Sequence, residues 1–135
     1  MDGGTGRVGA RGWRVLFGLA LAAQLVALYA PSGPSEGGIP HLDKLVHAGI
    51  FGAVALTAAA VGLPLRWVVP VLLVHAGVSE VVQGTLLPHR DGDWHDVLAD
   101  VVGTLLGAAG AVRWRPGRMA PRAERAAATG STMTP

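Results

Sequence analysis

The chain has 135 residues, half of them hydrophobic and only 15% charged, with 20 glycines and no cysteine. A mean hydropathy of +0.42 places it with small integral membrane proteins of one domain. Without cysteine there are no disulfides, thiolate metal sites or thiol nucleophiles, and a pI near 9.9 does not signal nucleic acid, because the arginines lie outside and between the apolar runs rather than in one patch.

Residues 1–12 form a basic segment ahead of the first apolar run, about Trp13 to Ala30, whose ends Trp13 and Tyr29 suit interfacial anchors. Arg7, Arg11 and Arg14 ahead of an apolar stretch also suit a signal peptide. A cut after Ala30 would put the large Leu28 at −3 and Pro31 behind it, so a retained helix is expected. Pro31, Pro34, Gly37, Gly38 and Pro40 punctuate the chain before a second run, about Lys44 to Leu65. Gly62 and Pro64 mark the next connection and Trp67 to Leu87 is the third run, in which Pro70 predicts a kink with an unpaired carbonyl. Pro88 and Gly92 lead into the fourth run, Trp94 to Val112. Each run is roughly 18–22 residues, enough to cross a hydrocarbon core of about 30 Å, and the first two show almost no polar face. Residues 113–135, rich in Arg, Pro, Ala and Thr, read as a disordered tail. The expected fold is all-α: an integral membrane four-helix bundle over residues 13–112, without internal repeats.

Charge sets the expected orientation. Arg7, Arg11, Arg14, Arg66, Arg113, Arg115, Arg118, Arg122 and Arg125 are nine of the eleven basic residues, and all fall at the two ends or in the middle loop. Four spans put those regions on one side, which the positive-inside rule makes cytoplasmic, so both termini are expected inside at the cell membrane.

That topology gathers side chains a membrane tolerates poorly. Asp43, Lys44 and His47, with His41, begin the second run at its outer end; Glu80 and Gln83 lie one to two turns below the outer end of the third; Arg90, Asp93 and Asp96 begin the fourth. A charge in mid-span costs roughly 2.5–3.5 kcal/mol on insertion scales, so such residues face a bundle interior, pair there and mark function. Glu80 and Gln83 share a face at i, i+3, and His47 and Phe51 at i, i+4. Asp93, Asp96, Asp100, Gly103 and Gly107 follow one stripe in steps of three and four, acidic outside and small deeper in, which predicts close approach to another helix.

Pro40-His41-Leu42-Asp43-Lys44-Leu45-Val46-His47, then Glu80-x-x-Gln83, then Arg90 with Asp96, Gly103 and Gly107, resembles the VanZ-like family of small bacterial integral membrane proteins, some linked to glycopeptide (teicoplanin-type) resistance. The resemblance covers roughly residues 12–113. Asp100 departs from it, standing where the family pattern usually carries asparagine. The resemblance implies an envelope context and these candidate residues, not a reaction.

Structural readings stand beside the functional ones. Asp43 can complement a helix dipole, Asp93 can be an N-cap with Asp96 at N3, and Lys44 can snorkel. His75 reads as a packed, hydrogen-bonded histidine and His89 and His95 as interfacial. Glu80 lies too deep for capping or snorkelling, and its structural alternative is an ion pair with Arg90 or Lys44. Three function classes follow. The first is an envelope protein whose outward pocket binds a lipid-linked or peptidoglycan-related molecule or an antibiotic. The second is an intramembrane enzyme, with Glu80, Asp93, Asp96 and His47 as acid–base groups or metal ligands around an anionic substrate held by Lys44 and Arg90. The third is a small transporter, for which four short helices would need to dimerise. No metal-binding motif, phosphate loop or Gly-x-Ser-x-Gly appears, and Ser79 beside Glu80 reads as back-bonded. No metal or cofactor is assigned; membrane lipids are the partners expected in any case, and homo-oligomerisation stays open.

Overall fold

The computed structural model describes residues 9–30, 41–87 and 92–114, and these form four helices: α1 (Ala10–Tyr29), α2 (Leu42–Ala60), α3 (Leu65–Leu86) and α4 (Trp94–Arg113). The connection 31–40, the stretch 88–91 with His89 and Arg90, and residues 115–135 of the expected tail lie outside the described residues. All four helices are long and apolar enough to cross a membrane. α2 stops at Ala60, short of the expected Leu65, because Gly62 takes φ 98° and Pro64 stands extended at the N-cap of α3. α3 continues as one helix through Pro70. Arg113, read from sequence as the start of the tail, is the last residue of α4.

The polarity of the bundle is inverted relative to a water-soluble one. Among the described residues nine buried side chains are polar or charged and eight are hydrophobic, while Leu45, Leu86 and Leu106 are about two-thirds exposed or more. Water would penalise such a surface; lipid solvates it, and the buried polar groups then have only each other. The chain is therefore a multi-pass membrane bundle by composition, length and packing.

α2 and α4 form the centre and run parallel, as their matched contacts show: Lys44 meets Asp96, His47 meets Asp100, and Leu56 lies beside Gly110. Their approach is backbone on backbone. A Cβ at Gly103 would collide with the Ala48 carbonyl, and one at Gly107 with the Gly52 carbonyl. The stripe Gly103-x-x-x-Gly107 thus packs on a matching Ala48-x-x-x-Gly52 of α2, the small-xxx-small geometry that lets membrane helices close without large side chains. α1 packs chiefly on α2, and α3 on α4 and α2. The apolar core lies between α1, α2 and α3, where Leu28, Phe51, Val54, Ala55, Leu72 and Ala76 meet. Tyr29, expected as an interfacial anchor, donates or accepts a 3.0 Å hydrogen bond with His75 Nε2, and that ring also stacks 5.8 Å from Phe51. At the opposite end Trp13 meets Trp114 edge-on, ring centres 5.0 Å apart.

Candidate functional site

The parallel pairing of α2 and α4 brings two helix N-termini, with their partial positive charge, to one end of the bundle, and the acids gather there. His41 precedes α2 in a left-handed conformation (φ 62°), so the chain turns sharply into the helix, and Asp43 and Lys44 enter its first turn. The Lys44 ammonium donates to Asp43 Oδ2 at 3.0 Å, Asp93 Oδ2 at 2.9 Å and Asp96 Oδ1 at 3.0 Å. An ammonium has three donors, and all three are used. Lys44 is therefore a bridge between α2 and α4 rather than a snorkelling side chain. Asp93 is the N-cap of α4: its Oδ1 accepts from the His95 backbone N–H at 2.9 Å and from His95 Nδ1 at 2.6 Å. The Lys44 ammonium, with these His95 contacts behind it, holds the Asp93 carboxyl well below the usual carboxylate range.

The capping arrangement expected within α4 is completed from another helix. Asp96 at N3 does not reach back to the Asp93 N–H, because its oxygen is engaged by Lys44; Glu80 Oε2 of α3 takes that N–H at 2.8 Å. α3 comes this near because Gly84 and Gly92 touch: a Cβ on Gly92 would lie 3.0 Å from the Glu80 carbonyl and 3.4 Å from the Gly84 Cα. Glu80 thus makes no ion pair with Lys44 among the described residues, and its other oxygen, Oε1, is buried with no partner. Gln83, on the same face, is 3% exposed, and its amide Nε2 is likewise unpartnered.

One turn deeper, His47 Nδ1 and Asp100 Oδ1 lie 3.0 Å apart, both residues buried. Asp100 Oδ2 has no partner. His47, Glu80 and Asp100 each offer a donor atom, and those atoms lie within 4.8 Å of one another. No linear spacing announces this triad, since each member comes from a different helix. Asp43, Lys44, His47, Glu80, Gln83, Asp93, Asp96 and Asp100 therefore occupy one end of the bundle, and Arg90 alone of the candidate residues falls outside the described residues.

Outside the cluster the structural readings account for the rest. Ser79 donates to the Ala76 carbonyl at 2.9 Å, the back-bonding expected of it, and His75 is the hydrogen-bonded packing histidine. Three buried polar residues escaped the sequence reading: Gln24 on α1, whose amide oxygen and nitrogen are both unpartnered, Thr57 on α2, whose hydroxyl donates back to the Ala53 carbonyl at 2.6 Å, and Thr104 on α4, whose hydroxyl is unpartnered. Gln24 is the lone amide of its apolar run, and that was the available signal.

Compared with known proteins, the chain matches no family model, no curated protein and no solved structure.

Proposed function

We propose that this chain is a VanZ-like protein of the bacterial cell membrane, with both termini cytoplasmic, whose outward-facing polar pocket binds an envelope or lipid-linked ligand and bears on glycopeptide susceptibility. The observation that carries this reading is the cluster itself: five carboxylates, of Asp43, Glu80, Asp93, Asp96 and Asp100, gather at one end of an otherwise apolar bundle, where Lys44 is the one ammonium among the described residues and meets three of them. Fold stability alone needs no such excess of acid, and the intramembrane default for it is function. Among the described residues its chemistry favours the amino and hydroxyl groups of a glycan or peptide, since the Lys44 ammonium is fully engaged by Asp43, Asp93 and Asp96. The orientation rests on the arginine distribution. Reporter fusions at Gly62 and at Pro135 are expected to read cytoplasmic and a fusion within residues 31–40 external; an external Pro135 would reverse the pocket's side.

Expression of the protein in a bacterial host should change susceptibility to lipophilic glycopeptides. Glu80→Ala, Arg90→Ala and Asp96→Ala should each abolish the change at equal membrane abundance, and wild-type behaviour of all three would reject the reading. A second reading, an intramembrane enzyme, is favoured by one feature, the buried His47–Asp100 pair beside Glu80, which has the make-up of an acid–base site. Glu80→Gln separates the two. A binding pocket that needs only hydrogen bonds retains part of its effect, and an acid–base site loses nearly all of it.

A further inference from the structure

Among the described residues, the floor of the pocket holds two buried carboxylate oxygens with no partner. Lys44 is committed to Asp43, Asp93 and Asp96, so it neutralises nothing deeper. Below it, Asp100 is fully buried and Glu80 and His47 are each 8% exposed. Asp100 Oδ2 and Glu80 Oε1 have no hydrogen-bond partner. Two carboxylates left this way in a low-dielectric interior call for a cation. A proton satisfies one oxygen at a time. A divalent ion satisfies both carboxylates and the imidazole together.

We propose that His47, Glu80 and Asp100 are the protein ligands of a divalent transition-metal ion held between α2, α3 and α4. Their donor atoms lie within 4.8 Å of one another, and ligands about 2.0–2.2 Å from a tetrahedral zinc ion sit about 3.4 Å apart, so rotamer adjustments of about an ångström close the site. One imidazole and two carboxylates form a nitrogen–oxygen donor set that suits Zn2+ or Mn2+ and disfavours the all-oxygen preference of Mg2+. Three protein ligands leave a coordination position open toward the pocket. The helices that deliver the ligands approach backbone on backbone, α2 on α4 at Gly103 and Gly107, and α3 at Gly84 on Gly92 just ahead of α4. The inference goes beyond the envelope reading and does not need it, because an ion can bind whatever the pocket's larger ligand is.

The test uses metal-depleted full-length protein in detergent, titrated calorimetrically with Zn2+, Mn2+ and Mg2+ while thermal unfolding is followed in parallel. One Zn2+ per chain is expected, bound at least tenfold more tightly than Mg2+ and raising Tm. Asp100→Asn and Glu80→Gln, both near-isosteric, should each weaken Zn2+ at least tenfold, and His75→Gln should not. Zinc-edge absorption on the wild-type protein covers the case in which a variant does not fold: nitrogen and oxygen neighbours with one imidazole are expected. No saturable Zn2+ binding by folded wild type would overturn the proposal. So would unchanged Zn2+ affinity in both variants, Mg2+ binding as tight as Zn2+, or an absorption spectrum without imidazole.

Discussion

Gly103→Val should be the most damaging single change in the bundle, destabilising it by more than about 3 kcal/mol. Overpacking a core ordinarily costs about 1–3 kcal/mol because neighbouring side chains rotate away. At Gly103 the neighbour is the Ala48 backbone carbonyl, which cannot rotate without moving α2. Separating the helices also opens the Gly52–Gly107 contact one turn deeper and pulls His47 from Asp100. Gly49→Ala on the same α2 supplies the comparison. A Cβ there meets nothing within 4 Å, so the change should be neutral or stabilise by up to about 1 kcal/mol. Unfolding of both variants in detergent or mixed micelles gives the two values. Equal effects at Gly103 and Gly49 would mean that α2 and α4 are not in backbone contact.

Lys44→Met should cost about 2 kcal/mol. The change strips the counter-charge from three carboxylates at once, and breaking a fully buried pair this way costs about 3–5 kcal/mol. The side chains of Asp43 and Asp93 are 41% and 37% exposed, so solvent screens part of the loss, while that of Asp96 at 11% is poorly screened. The effect should depend on pH, with a definite sign. Lys44 holds the Asp93 carboxyl below the ordinary carboxylate value of about 3.9. A depressed native value contributes stability that is fully present above the unfolded value and is lost as pH falls through the native one. The gap between wild type and Lys44→Met should therefore be full at neutral pH and narrow below about pH 4. A gap that widens with acid would show that Lys44 is not the carboxylates' partner.

What could be read from the sequence follows from what is local. Four runs of membrane-spanning length, and the stripe Asp96, Asp100, Gly103, are statements about one helix at a time, and hydropathy and i, i+3/i+4 spacing carry them. The buried faces of α3 and α4 were legible for that reason, down to Glu80 and Gln83. Contacts between helices were not. Nothing near His47 indicates that it meets Asp100, 53 residues on, nor near Ala48 and Gly52 that they receive Gly103 and Gly107. The exchange by which Glu80 takes the Asp93 N–H while Asp96 turns to Lys44 depends on three helices at once. Capping rules applied within α4 therefore identified Asp93 as N-cap, while the N–H that a capping box would assign to Asp96 goes to Glu80. The apolar run carries to Leu65 although Gly62 and Pro64 already mark a connection, and the helix stops at Ala60, ahead of both.

Charged side chains from separate helices meet and compensate one another inside the bundle. A double-mutant cycle on Lys44 and Asp96, 52 residues apart in sequence and 3.0 Å apart in space, tests it most directly. Unfolding free energies of wild type, Lys44→Met, Asp96→Asn and the double variant are measured in the same micelles at neutral pH. The double variant should be more stable than the sum of the single effects predicts by at least about 1 kcal/mol, because removing Asp96 lessens the uncompensated charge that Lys44→Met leaves behind. Effects that add to within about 0.3–0.5 kcal/mol, the behaviour of distant independent sites, would contradict that compensation.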